Sequence, residues 1–187
     1  MKTLISILFL SFGIQAFSQT PQELELIRLT NIERAKENLS PVVYSALLDS
    51  AAQFHNRYQV AKGKIDHVEH EIQPGETEKY VGPMQRIEKY NSKWDHIFTG
   101  DLISEICAGR WAINSQNKIT EDSAVQLIFS QWMKSEPHRA ILMTRGITHI
   151  AFALTVKHGP ITKSKVPILN GRSTSSFYGT GLVAKTF

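Results

Sequence analysis

Asp66-His67-Val68-Glu69-His70-Glu71 sets two histidines three residues apart among three acids, side chains that can hold a divalent metal. No helix fixes that spacing, so the segment is a weak ligand set on its own, and solvated side chains are the competing reading. A further histidine closes the stretch Gln131-Trp132-Met133-Lys134-Ser135-Glu136-Pro137-His138. Ser135 can cap a short helix whose first turn holds Glu136, Pro137 and His138, near free N–H groups and the positive dipole end. An imidazole there tends to stay neutral, which suits a metal ligand or a proton acceptor; a surface histidine beside a helix start is the alternative. His55 lies beside an apolar helix stripe and reads as structural. Cys107 is the only cysteine and has apolar neighbours, so it reads as a buried, slow-reacting thiol. No Gly-x-Ser-x-Gly elbow is present to supply a serine nucleophile.

The elements that must position these groups follow from pattern and punctuation. Thr20-Pro21-Gln22-Glu23 reads as a capping box opening a helix that turns Leu24, Ile27 and Ile32 inward and runs to about Glu37. Ser45 caps a second helix, with Leu47, Leu48, Ala51, Phe54, Tyr58 and Ala61 on one side, and Gly63 ends it. Gln73 to Tyr80 reads as an exposed loop. Gly82-Pro83 starts a short helix through Met84, Ile87 and Tyr90, and Asn91 to Gly100 forms another loop, carrying Trp94 and His96. Ile103 to Trp111 reads as the first strand, with Glu105 near its beginning. Thr120 starts the helix of Ala124, Leu127, Ile128 and Trp132, whose shared face makes Trp132 a core residue. Ile147 to Val156 is a buried strand, His158 to Ser176 a long basic connection, and Phe177 to Phe187 the last strand. Early helices, a helix between strands and a late strand pair imply an α+β fold with helices on a small sheet.

At 187 residues, with 42% apolar and 20% charged residues, the chain suits one soluble domain. Met1 to Ser18 stands apart: Lys2 is a charged start, Leu4 to Phe12 an apolar run, and Ala16 and Ser18 small residues at a cleavage position. It reads as a secretory signal cleaved after Ser18, leaving one domain over 19–187 with no transmembrane segment. Secretion, or export to a periplasm, follows. A single cysteine excludes an internal disulfide, a habit that points to a bacterial exported protein. The net charge of +4 becomes +3 once Lys2 is lost, and basic residues are scattered among acids, so no nucleic-acid partner is expected.

With these pieces placed, the chain resembles the CAP superfamily of SCP-like domains, in its bacterial YkwD-like branch. Leu29-Thr30-Asn31-Ile32-Glu33-Arg34 is similar to the family's opening Asn-x-x-Arg helix, and Asp49 to His55 to its second helix, followed by His67. Gln85-Arg86-Ile87 resembles its third helix. Trp132-Met133-Lys134-Ser135-Glu136-Pro137-His138-Arg139 resembles the bacterial Trp-x-x-Ser-x-x-His-Arg motif, the most specific piece. Ile147 to Leu154 matches the strand that follows.

The resemblance implies an α–β–α sandwich with a small, mostly antiparallel sheet and a cleft lined by His67, His138 and Glu105. Two imidazoles and a carboxylate can bind Zn²⁺ or another divalent metal with a position left open, or act without metal as general acid and base. The chain departs from the family where Ser104-Glu105-Ile106 replaces Gly-Glu-Asn, and Ser135 stands where animal members carry a second glutamate. One acid fewer argues against tight metal binding. The first functional expectation is a module binding a small or lipid-like ligand in that cleft. A metal-assisted hydrolase of envelope or extracellular material, using His67, Glu105 and His138 as candidate catalytic residues, is the second. A protein-interaction module using the long loops is the third.

Overall fold

The computed structural model describes residues 19–71, 79–90, 98–114, 119–160 and 173–186. The segment 1–18, Trp94, His96 and the middle of the basic connection, 161–172, lie outside the described residues. The elements run α1 (Pro21–Lys36), β1 (Val43–Tyr44), α2 (Ala46–Lys62), β2 (Glu69–Glu71), β3 (Lys79–Val81) and α3 (Pro83–Tyr90). They continue β4 (Phe98–Asn114), α4 (Glu121–Lys134), α5 (Glu136–Leu142), β5 (His149–Pro160) and β6 (Ser173–Thr186).

The main sheet has the order β1-β5-β6-β4, with β1 parallel to β5 and the other two pairings antiparallel. Because side chains alternate along a strand, each strand feeds two cores. Ile106 of β4, Ile150 and Phe152 of β5, and Phe177 and Val183 of β6 join Leu26 and Ile27 of α1 with Ile128 and Trp132 of α4. The intervening positions Ala151, Ala153, Leu182 and Ala184 meet Leu48, Ala51 and Ala52 of α2 and Ile87 of α3. The result is an α+β sandwich, with α1, α4 and α5 over one face and α2 and α3 over the other. β2 and β3 pair as a small second sheet.

Trp132 is fully buried and stacks on Phe152 at 5.3 Å, as its helix face requires. Gly179 makes room for the neighbouring Ile128: a Cβ there would stand 1.8 Å from Ile128 Cδ1, so a larger residue requires that side chain to move. α1 departs from the expected face. Leu24 and Ile32 are exposed, at 49% and 39%, while Leu26, Ile27, Thr30 and Arg34 are buried. The two polar residues turn inward because the backbone satisfies them: Thr30 Oγ1 donates to Leu26 O at 2.8 Å and Arg34 Nε to Ser40 O at 2.8 Å. Asn31 clamps the same region, donating to Val42 O at 2.9 Å and accepting from Val42 N at 2.8 Å. The Asn-x-x-Arg spacing thus fastens α1 to the segment that leads into β1 and, through Arg34, to the end of α5.

Further boundaries differ from expectation. The connection read over His158 to Ser176 is shorter, because β5 runs on to Pro160 and β6 starts at Ser173, with His158 paired to Ser175. Lys79 and Tyr80, assigned to a loop, form β3, held against Glu71 and His70 of β2. The strand carrying Glu105 begins earlier, at Phe98, and its pairing with β6 shifts register between Thr99 and Ser104. That irregularity ends directly before Glu105, a position where bulges commonly re-aim side chains.

Candidate functional site

Glu105 and Cys107 share the β4 face that looks toward α2 and α3, opposite Ile106. Glu105 is 7% exposed and held from three sides. Arg86 of α3 donates from Nη2 to Glu105 Oε2, and His67 Nδ1 lies 3.1 Å from Glu105 Oε1. His55 of α2 brings Nε2 to 3.7 Å of the same oxygen. Burial alone would push the Glu105 carboxyl up. The hydrogen bond from His67 and the charges of Arg86 and His55 outweigh it and hold the group below its ordinary value of 4.5.

Arg86 is fully buried and does more than neutralise. Its Nη1 donates to His67 O at 3.1 Å and to Val81 O at 2.9 Å, so one guanidinium fixes both the Glu105 carboxylate and the backbone that carries His67. Glu69 completes the cluster, with Oε1 3.0 Å from His55 Nδ1 and 3.8 Å from Arg86 Nε. Two acids and two bases therefore meet where α2, β2, α3 and β4 come together.

His67 stands at the open edge of this cluster, its side chain 51% exposed. With Nδ1 committed to Glu105, the nitrogen left for solvent is Nε2, the arrangement of a carboxylate-oriented histidine. The hydrogen bond to Glu105, against the opposing effect of burial, raises the His67 pKa above 6.5. His138, half-buried at the third position of α5, is close enough to feel the His67 charge; burial, then that charge, lowers its pKa below 6.5. Ser135 stands at the N-cap position of α5 as expected, but its side chain makes no capping hydrogen bond.

The local Asp66–Glu71 cluster does not gather. Asp66 pairs with Lys64 at 2.7 Å, Glu69 turns inward to His55, and exposed His70 packs edge-on against Tyr80. His55, read as structural, is buried as expected yet belongs to the charged cluster beside Glu105. Sequence spacing offered no sign that Glu69 and Arg86 would meet Glu105. Cys107 is 4% exposed, and burial together with the nearby Glu105 charge pushes its thiol well above the usual range, unlike a reactive thiol.

Two donor sets bear on a metal. Ligand atoms of His55, Glu105 and Cys107 lie within 4.8 Å of one another. Both ring nitrogens of His55 already face oxygens, however, Glu69 at 3.0 Å and the Asp66 carbonyl at 2.6 Å, so a metal there would have to displace one of these contacts. His67 fits the part of a ligand better, because among the described residues no hydrogen bond uses its Nε2. There Glu105, with one oxygen on Arg86 and the other on His67, suits the part of the acceptor behind a ligand rather than of a third ligand.

Among the described residues no helix is long and apolar enough to cross a membrane. The fold is similar to an outer surface protein of Borrelia burgdorferi, at a TM-score of 0.54 and 18% identity over 91% of this chain and 97% of that one. Two further likenesses cover 90% of this chain at 16% identity. One is to an extracellular protein containing an SCP domain from Bacillus anthracis, 45% of which is covered, at a TM-score of 0.49. The other is to a cysteine-rich secretory protein of Staphylococcus aureus, 40% of which is covered, at 0.43. No curated protein matches the chain by sequence. The sequence profile of the cysteine-rich secretory protein family matches residues 27–160, nearly all of the elements described above, and the chain belongs to that CAP family.

Proposed function

We propose that the chain is an exported bacterial CAP domain over 19–187, of the YkwD-like branch, that binds a small ligand at the His67–His138 edge with the help of a divalent metal. The observation that carries this reading is the 3.1 Å contact of His67 Nδ1 with buried Glu105. It fixes one tautomer, turns Nε2 outward, and is itself fixed by Arg86. A half-exposed imidazole held this rigidly is more than a solvated surface residue needs. The lowered pKa of His138 favours the neutral form a ligand needs, whereas the raised pKa of His67 means that a metal there displaces a proton from Nε2. When bound, Zn²⁺ would supply a Lewis acid with open positions for a carboxylate or other oxygen donor of the ligand. His67 and His138 would hold it, and Glu105 would keep His67 in register.

Export rests on the charged start, apolar run and small residues of Met1 to Ser18, and mass spectrometry of the exported protein should find Met1 absent. Calorimetry tests the site. Zn²⁺ should bind the wild type, His67→Ala and His138→Ala should each abolish binding, and His70→Ala should leave it unchanged. Loss of binding in His70→Ala alone would return the metal to the Asp66–Glu71 segment. A second reading is favoured by the same His67–Glu105 pair, since an imidazole backed by a carboxylate is a general base. In that case the domain hydrolyses envelope or extracellular material through an activated water, with Cys107 excluded as nucleophile by its burial. Turnover of such material that vanishes in His67→Ala would establish it.

A further inference from the structure

Among the described residues, Arg34 presents a charge without a counterion. It is 1% exposed, and its donors reach only carbonyl oxygens: Nε to Ser40 at 2.8 Å, Nη1 to Leu142 at 2.7 Å and to Thr144 at 3.1 Å. Among the described residues no carboxylate pairs with it, and no hydrogen bond uses Nη2. A buried guanidinium facing neutral acceptors is costly compared with one facing an anion. Next to it lies a cavity of about 140 Å³ lined by Arg34, Asn38, Leu39, Ser40, Arg145 and Gly146. That lining holds two arginines and no acid. Arg145 is exposed at the cavity mouth. Two left-handed backbone positions, Asn38 at φ 53° and Gly146 at φ 85°, bend the α1–β1 and α5–β5 connections around the cavity.

We propose that this cavity, on the α1–α5 side and separate from the His67–His138 edge, binds an oxyanion of the phosphate class. Planar guanidinium forks match phosphate oxygens two at a time, and the Ser40 hydroxyl and Asn38 amide add neutral donors. Arg34 supplies the buried charge and Arg145 the exposed one that admits the anion. The anion arrives either free or as the exposed phosphate group of a larger molecule such as a lipid.

Isothermal titration with inorganic phosphate, followed in parallel by the Nε–H resonance of Arg34, tests this at moderate salt. Saturable binding that shifts the Arg34 signal is expected. Arg145→Gln, a surface change that leaves the fold intact, should weaken binding by about tenfold or more, as loss of one charge-assisted hydrogen bond does. Arg28→Gln, the same charge loss on the exposed side of α1, should change nothing. Vesicles of phosphatidylcholine with and without phosphatidic acid separate the sources. Capture only by the phosphatidic acid vesicles supports the proposal with a lipid phosphate as ligand, and capture by neither supports it with the free anion. An unshifted Arg34 resonance at saturating phosphate, or equal losses in Arg145→Gln and Arg28→Gln, overturns it.

Discussion

The two faces of the sheet are built on different principles. Under α1, α4 and α5 the strands present Ile106, Ile150, Phe152, Phe177 and Val183 to large apolar partners, with Trp132 at the centre. Under α2 and α3 the apolar contribution shrinks mainly to alanines and leucines, and beside it sit His55, Glu69, Arg86 and Glu105, all buried. The first face gains stability from area removed from water. The second spends buried charge to hold one imidazole at the surface in one orientation. Small residues on that face are consistent with this use, because α2 must come close enough for His55 to reach Glu69 and Glu105.

Two substitutions should separate the faces by the character of the loss. Trp132→Ala should cost about 3–5 kcal/mol through cavity formation, at every pH where the protein folds. Arg86→Met should cost a comparable amount, about 3–5 kcal/mol at neutral pH, by leaving Glu105 and Glu69 without their cation. Chemical denaturation across pH distinguishes them. The Arg86→Met deficit should shrink in acid as Glu105 takes a proton, whereas the Trp132→Ala deficit should not. A deficit in Arg86→Met that is as pH-independent as that of Trp132→Ala would contradict the charged-cluster account.

A smaller effect contrasts two buried acids. The folded pKa of Glu105 is below 4.5, so its contribution to stability is present above that value and fades as pH falls through the folded pKa. Asp49, buried in the first turn of α2 and close to Glu23, is raised above 3.8 by burial. Its sign is opposite: stability is greatest below 3.8 and is lost as pH rises through its folded pKa. Glu105→Gln should therefore lower the melting midpoint at neutral pH, and Asp49→Asn should leave it unchanged or raise it slightly. Thermal melts of both variants at neutral and acid pH would show whether the signs differ.

How much of this was legible in the sequence depended on whether the residue type advertised its role. Trp132 on the Ala124–Leu127–Ile128 face, the Thr20–Glu23 capping box, Ser45 and Gly63 at the ends of α2, and buried Cys107 all follow from local pattern. α1 did not, because Thr30 and Arg34 take core positions by bonding to carbonyls while Leu24 and Ile32 face outward, a substitution that apolar periodicity cannot express. The cluster behind His67 was invisible for a related reason. Glu69, Arg86 and Glu105 lie on three different elements, and only the fold brings them to hydrogen-bond distance. Family resemblance supplied the sandwich with a mostly antiparallel sheet and the pairing of His67 with Glu105, and it named His138 as a third member. It did not supply Arg86 as the group that holds Glu105 and His67 together.

Histidine side-chain NMR, titrated first in pH and then with Zn²⁺, tests the central claim most directly. The account predicts that His67 gains its proton above 6.5 and His138 below it, and that Glu105→Gln brings the His67 midpoint down. Zn²⁺ at neutral pH should then shift His67 and His138 together, with His67 Nδ1 keeping its proton on Glu105 and the His70 signal unmoved. Coincident midpoints for the two histidines that ignore Glu105→Gln, or a metal response confined to His70, would contradict it.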